Sequence, residues 1–344
     1  MSSPSSLQPF MSPEAFLESF PPSPSISTHI TEARERIRDI LRGKSSRLLV
    51  IIGPCSIHDP IATREYANLL KTTADRFKDQ LEIVMRMYFE KPRTGLGWKG
   101  FINDPFLDGR CDIASGLKSA RQLLLEVNSL NLPTATEFVN PFLSLYFSDL
   151  IAWGAIGART SESQIHRELA SSLDMPIGFK NSTDGNIKIA IDAARVARLP
   201  HHFLSLAPNG KVAIRHSVGN PDSHIILRGS RQTSNYSPAH LNEVKELLNK
   251  IGLHSRLIVD CSHGNSRKDY QKQANVLHAV IQQVNEGNQL IAGVMIESFL
   301  IAGQQPFDNK NLTYGQSITD GCIGWEETVT MLEKMTSNLN KKCG

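Results

Sequence analysis

Short apolar runs alternate along this chain with segments in which apolar residues recur every three or four positions. The first run, Leu48-Leu49-Val50-Ile51-Ile52, reads as a strand buried on both faces, because it lacks the polar alternation of a half-exposed strand. Gly53-Pro54 ends it, and Cys55 stands directly after the break. Over 61–77, Tyr66, Leu69, Leu70, Thr73 and Phe77 fall on one helical face. The same alternation predicts further strands at 81–87, 133–138, 153–158, 176–179, 224–227, 257–261 and 292–296. Helices are predicted at 113–130, 142–150, 161–172, 185–198, 238–251, 270–285 and 325–339, with Ser161 and Gln164 as a capping box.

Three segments fall outside this rhythm. Residues 1–27, rich in Ser and Pro, read as an arm that is mobile or orders on a partner. Residues 31–42 read as a helix, with Thr31 as N-cap and Gly43 as its stop. Residues 202–217 read as a two-stranded excursion turning at Asn209-Gly210. What remains is eight strands, nearly all followed by helices. Such alternation implies parallel strands, and eight units suit an α/β fold of the (β/α)8 TIM-barrel type. An open doubly wound sheet would carry a Gly-rich turn after its first strand, and none is present. The expected organisation is an N-terminal extension over 1–45 and a catalytic barrel over 46–340, with a β-hairpin inserted at about 202–219.

Composition narrows the function. A net charge of +3, with basic residues dispersed and not interleaved with aromatics, argues against nucleic acid. There is no apolar run long enough to span a membrane and no signal-peptide pattern at the N-terminus. Five irregularly spaced cysteines, at 55, 111, 261, 322 and 343, suggest reduced thiols in a cytoplasmic protein.

The strand ends carry the candidate chemistry. Arg86, Arg159, Lys180 and Arg228 each close a different apolar run. In a parallel barrel all four converge on one mouth, where they repel unless an anion lies among them. Arg forks match phosphate and carboxylate oxygens, and Lys adds a point charge. The implied ligand is small, multiply anionic and phosphorylated, with Lys91, Arg93 and Lys99 on the next loop as further cations. A second set, Cys55, His263, Glu297 and Asp320, offers a thiolate, an imidazole and two carboxylates, which together can hold a divalent transition metal. Their scattered spacing leaves the metal open on chemistry alone. Cys261 competes with Cys55, since on a strand it would face the same side as His263.

The segments GPCSIHD (53–59), MRMYFEKPRT (85–94), GAIGART (154–160), GFKNSTDG (178–185), HIILRGS (224–230), VDCSHGNS (259–266), GVMIES (293–298) and YGQSITDGCIGWEE (314–327) resemble a known family. It is the 3-deoxy-D-arabino-heptulosonate 7-phosphate (DAHP) synthases of the aromatic-amino-acid-sensitive class. The likeness covers about residues 30–335. It implies a C–C bond-forming transferase that condenses phosphoenolpyruvate with erythrose 4-phosphate, the first step of the shikimate pathway. It implies one divalent metal ion (Mn2+, Fe2+, Co2+ or Zn2+) on Cys55, His263, Glu297 and Asp320, favouring Cys55 over Cys261. Phosphoenolpyruvate would be held by Arg86, Lys91, Arg159, Lys180 and Arg228, assisted by the backbone at Gly157-Ala158, and the sugar phosphate by Lys91-Pro92-Arg93-Thr94. Catalytic roles would fall to Lys91, His263 and Cys55. The N-terminal extension and the excursion would build a pocket for an inhibitory aromatic amino acid and the contacts of a homodimer or homotetramer. The rivals are a 3-deoxy-octulosonate 8-phosphate synthase or class II aldolase, and a non-catalytic regulatory paralogue.

Overall fold

The apolar runs close on themselves. In the computed structural model, which describes residues 7–253, 255–307 and 311–340, eight parallel strands form a barrel in the order β1-β10-β9-β8-β5-β4-β3-β2. The strands are β1 (Leu48–Gly53), β2 (Leu81–Arg86), β3 (Thr134–Glu137), β4 (Trp153–Ile156), β5 (Ile177–Lys180), β8 (His224–Leu227), β9 (Leu257–Asp260) and β10 (Ile291–Glu297). Crossover helices α3 (Pro60–Phe77), α4 (Ile113–Ser129), α5 (Gln164–Ser172), α6 (Ile187–Ala197), α7 (Pro238–Lys250), α8 (Gln273–Asn285) and α9 (Trp325–Asn340) clothe it. The expected barrel is therefore present. Burial on both strand faces explains the unbroken apolar runs: Val50 and Ile52 pack outward toward helices, while Leu49 and Ile51 point inward with Val84, Ile226, Ile258 and Met295. Between β1 and β10 the register pairs Gly53 with Glu297, which brings the ends of the first and last barrel strands level.

The insertion between α6 and β8 is the antiparallel hairpin of β6 (His202–Leu206) and β7 (Val212–His216), with His202 opposite His216. Gly210 takes a φ of +82° in its turn, a conformation that favours glycine.

The N-terminal arm departs from expectation. Over the described residues it is ordered on its own chain as α1 (Pro13–Ser19) and α2 (Pro24–Leu41). The helix expected from Thr31 begins earlier because Ser12-Pro13 and Ser23-Pro24 are start signals. In each, the serine caps the helix and proline occupies its first turn. Phe16 is buried between Phe10, Phe20 and Tyr146, and the buried Arg121 donates to Phe20 O, to Tyr146 O and to both oxygens of Asp149. Helix α2 lies across the N-terminal end of the barrel, where Ala33, Ile37, Ile40 and Leu41 join the inward-facing core.

Three local readings also change. Residues 142–150 form two 3-10 turns, Pro141–Tyr146 and Ser148–Leu150, split by Phe147, whose φ of −153° and ψ of 1° are not helical. The capping box at Ser161 does not form: buried beside β5, its hydroxyl bonds Gly157 O and Lys180 O, and α5 starts after Ser163. In 302–322, expected as loop, the short strands β11 (Ile301–Gln304) and β12 (Gln316–Ser317) pair, while 308–310 lie outside the described residues. Among the described residues no helix is long and apolar enough to cross a membrane.

Candidate active site

The C-terminal ends of the barrel strands gather both residue sets at one mouth. Arg86, the last residue of β2, is almost wholly buried. Its Nη2 lies 3.2 Å from Glu297 Oε1, and its guanidinium stacks 3.9 Å above the Tyr88 ring. Burial opposes its charge, but Tyr88, Glu297, Cys55 and Asp260 more than offset this, so its pKa is raised. Lys180, the last residue of β5, places Nζ 2.9 Å from Asp260 Oδ2. Lys91 reaches Cys55 Sγ at 3.1 Å from the loop after β2. Burial would lower the Lys91 pKa, yet Cys55 and Glu297 raise it. Arg228 is buried one residue beyond β8; burial lowers its pKa, with Asp260 opposing.

Arg159 is exposed, and its Nε donates to Thr94 Oγ1 at 3.0 Å, tying the loop after β4 to the loop after β2. Arg93, also exposed, donates instead to Trp98 O of its own loop. That loop, which contains Pro92, is held by Lys91 N–H to Lys99 O and by Gly100. At Gly100 a φ of +111° and Phe89 O at 2.3 Å from any added Cβ exclude a side chain. Gly157 likewise leaves room for a carboxylate, since a Cβ there would meet Glu137 Oε1 at 2.2 Å. Ala158, next to it, is half-buried.

The second set closes over the seam between β1 and β10. Cys55 Sγ and one oxygen each of Glu297 and Asp320 lie within 4.8 Å of one another. His263 Nε2 stands 3.9 Å from Glu297 Oε1, at the edge of this trio. The donors fit a divalent transition metal: a soft thiolate and a borderline imidazole beside hard carboxylates. Burial and the Glu297 charge push the Cys55 thiol up, against Lys91, so a metal would have to displace its proton. Asp320 is held below the usual carboxylate range by His263, Lys268 and Lys91 against the effect of burial. Cys261 does not compete. Strand β9 stops at Asp260 and His263 adopts a φ of +55°, so the two-residue alternation fails, and Cys261 sits in the outer apolar core.

The family model for the DAHP synthetase I family matches residues 25–333.

The chain belongs to the DAHP synthetase I family.

Its relatives include the Phe-sensitive phospho-2-dehydro-3-deoxyheptonate aldolase of Escherichia coli, 50% identical over 98% of this chain and 97% of that protein. The Trp-sensitive enzyme of the same species is 49% identical over 98% and 97%. The solved phospho-2-dehydro-3-deoxyheptonate aldolase of Francisella tularensis superposes with a TM-score of 0.97 at 45% identity, covering 99% of this chain and 100% of that one.

Several neighbours of this DAHP-synthase mouth were not singled out by sequence reasoning. Asp260 and Ser262 stand behind Lys180 and His263. A buried amide chain runs from Asn181 through Asn235 to Asn265 and supports the backbone of Arg228 and Gly229. Lys268 pairs with Asp320 at 3.6 Å. The signal was position: Asn181 adjoins Lys180, and Asn265 lies two residues past His263.

Proposed function

We infer that this chain condenses phosphoenolpyruvate with D-erythrose 4-phosphate and water to give DAHP and phosphate, the first step of the shikimate pathway. The observation that carries the reading is the meeting of buried cations with a thiol–imidazole–carboxylate cluster at one barrel mouth. In this reading Arg86, Lys91, Arg159, Lys180 and Arg228, with the Gly157-Ala158 backbone, bind the carboxylate and phosphate of phosphoenolpyruvate. They offset repulsion between two anionic substrates and hold them aligned. Lys91, Pro92, Arg93 and Thr94 take the sugar phosphate. Cys55, His263, Glu297 and Asp320 would hold one divalent ion, one of Mn2+, Fe2+, Co2+ or Zn2+. Bound there, it supplies Lewis-acid polarisation of an aldehyde carbonyl. The enol carbon of phosphoenolpyruvate attacks that carbonyl carbon, and the Lys91 ammonium donates a proton to the aldehyde oxygen. His263 assists proton movement as water adds at the former C2, and phosphate leaves by C–O cleavage.

The regulatory reading concerns a second cavity of about 690 Å3 between α5, the Pro141–Tyr146 turn, α2 and the hairpin. Phe142, Leu169 and Phe203 give it an apolar wall, while Arg34, Arg215 and Glu168 supply both charges. An aromatic amino acid needs this combination: an apolar slot, a cation for its carboxylate and an anion for its ammonium. Relatives named for sensitivity to Phe, Trp and Tyr support feedback inhibition here. The other hairpin face exposes Leu204, Val212 and Ile214, which suits subunit contacts in a homodimer or homotetramer. A thiolate ligand suits a reducing compartment, which favours the cytoplasm.

The test is loss of phosphoenolpyruvate absorbance by the purified chain. Loss that requires erythrose 4-phosphate, stops with EDTA and returns with Mn2+ supports the reading. Turnover with arabinose 5-phosphate instead, or none with any metal, refutes it. Leu169→Trp should fill the second cavity and abolish inhibition by the effective amino acid while turnover persists.

A further inference from the structure

Asp260 ends β9 between the two halves of the mouth and is wholly buried. Its Oδ2 lies 2.9 Å from Lys180 Nζ and 3.0 Å from His263 Nδ1. Neither donor meets it in hydrogen-bond alignment, so Oδ2 acts here as the counter-charge of the Lys180 ammonium. Its Oδ1 accepts from Ser262 N–H at 3.0 Å and from Ser262 Oγ–H at 2.6 Å. Ser262 Oγ in turn lies 2.7 Å from His263 Nδ1.

The proton count along this chain places a proton on His263 Nδ1. The hydroxyl has one proton, and the carboxylate, an acceptor only, takes it. Ser262 Oγ therefore accepts from His263 Nδ1–H, which leaves Nε2, on the side of Glu297, as the nitrogen whose lone pair a metal would take. A carboxylate behind an imidazole in this way orients a metal ligand and strengthens its basicity.

We propose that Asp260 is a positioning residue for both halves of the site at once, steadying the Lys180 ammonium within the anion cradle and, through Ser262, presenting His263 Nε2 to the metal. The proposal rests on the metal and phosphoenolpyruvate assignments above. One buried carboxylate thereby joins the two residue sets from behind, where Arg86–Glu297 and Lys91–Cys55 join them within the mouth.

The test compares wild type, Asp260→Asn and Ser262→Ala as full-length purified chains, by equilibrium binding and not by turnover. Co2+ affinity is read from the near-ultraviolet thiolate–Co2+ band of Cys55, and phosphoenolpyruvate affinity by calorimetry. Asp260→Asn should weaken both by roughly 10–100-fold, the range for outer partners of metal ligands. Ser262→Ala should weaken Co2+ alone and alter the visible Co2+ spectrum, leaving phosphoenolpyruvate within about twofold; it still decides the question if Asp260→Asn fails to fold. A purely structural role would lower the melting temperature of Ser262→Ala without moving its Co2+ affinity, and that result overturns the proposal. So does an Asp260→Asn chain that binds both ligands as wild type does. A wild-type chain that binds neither overturns the functional reading itself, and the proposal with it.

Discussion

Acidification should reveal the buried His224. Trp153 Nε1–H donates to its Nε2 at 3.2 Å, and its Nδ1–H donates to Asp222 O at 2.9 Å. Both ring nitrogens are thus committed in the neutral form, and a second ring proton would face the indole N–H. Burial, the largest cause, lowers the pKa from 6.5 to about 4. The unfolded chain takes up the proton first, so this residue costs nothing above about pH 6.5 and destabilises the fold as pH falls toward 4. For one proton with these two pKa values, the loss is about 2 kcal/mol near pH 5 and about 3 kcal/mol near pH 4. The assay is urea unfolding of wild type and His224→Gln between about pH 4.5 and 8. The variant loses stability at all pH values because the amide fits less well, but the gap should narrow on acidification by the amounts above. Parallel stability curves would refute the reasoning. His29, lowered to about 4 by burial, is present in both chains and cancels in the comparison.

Other substitutions probe other parts of the molecule. Cys55→Ala should remove metal binding and turnover together, and its far-ultraviolet circular dichroism should match wild type. Retained turnover at saturating Mn2+ would count against the thiolate ligand. Arg121→Met breaks four contacts of a fully buried guanidinium and leaves the part-exposed Asp149 and two carbonyls without it; about 1–3 kcal/mol of stability should go, with faster proteolysis near Phe20 as the local sign. Glu90 is pushed up to about 7 by burial and accepts from Asn140 N–H. Its raised pKa means that ionisation costs stability as pH rises from about 4.5 to 7, so Glu90→Gln should gain on wild type, by about 1–3 kcal/mol, near pH 8 but not near pH 4.5. A gain of equal size at both pH values would exclude ionisation as its cause.

The barrel was legible because strands buried on two faces leave continuous apolar runs, and because each such run ends in a residue with chemistry. Arg86, Lys180 and Glu297 are strand-terminal in the structure as in the reading. Of the N-terminal helices, α2 was legible only over its second part, as 31–42, and α1 was missed: it is only 7 residues long, and its start signal, Ser12-Pro13, resembles ordinary Ser- and Pro-rich sequence. Ser161 failed as a cap for a tertiary reason, since a buried hydroxyl beside β5 finds carbonyl partners that no local rule describes. The nearness of Cys55 to Glu297 and Asp320 depends on closure of the barrel, which no short-range pattern encodes. Asp260 went unnoticed because within a strand a lone carboxylate says nothing of what it faces.

The seam between β1 and β10 also ties function to the order of synthesis. Cys55 follows the first barrel strand, and Glu297 ends the last. A nascent chain that has not yet reached Ile291 has no closing strand and no Glu297, whatever its helices have achieved. The donor cluster thus comes into being only as the cylinder is zipped shut. Misregistered or unfinished chains would offer an ion only scattered donors, and ion binding stabilises the finished state most. Metal retained through purification would therefore serve as a certificate that the last strand has docked in register.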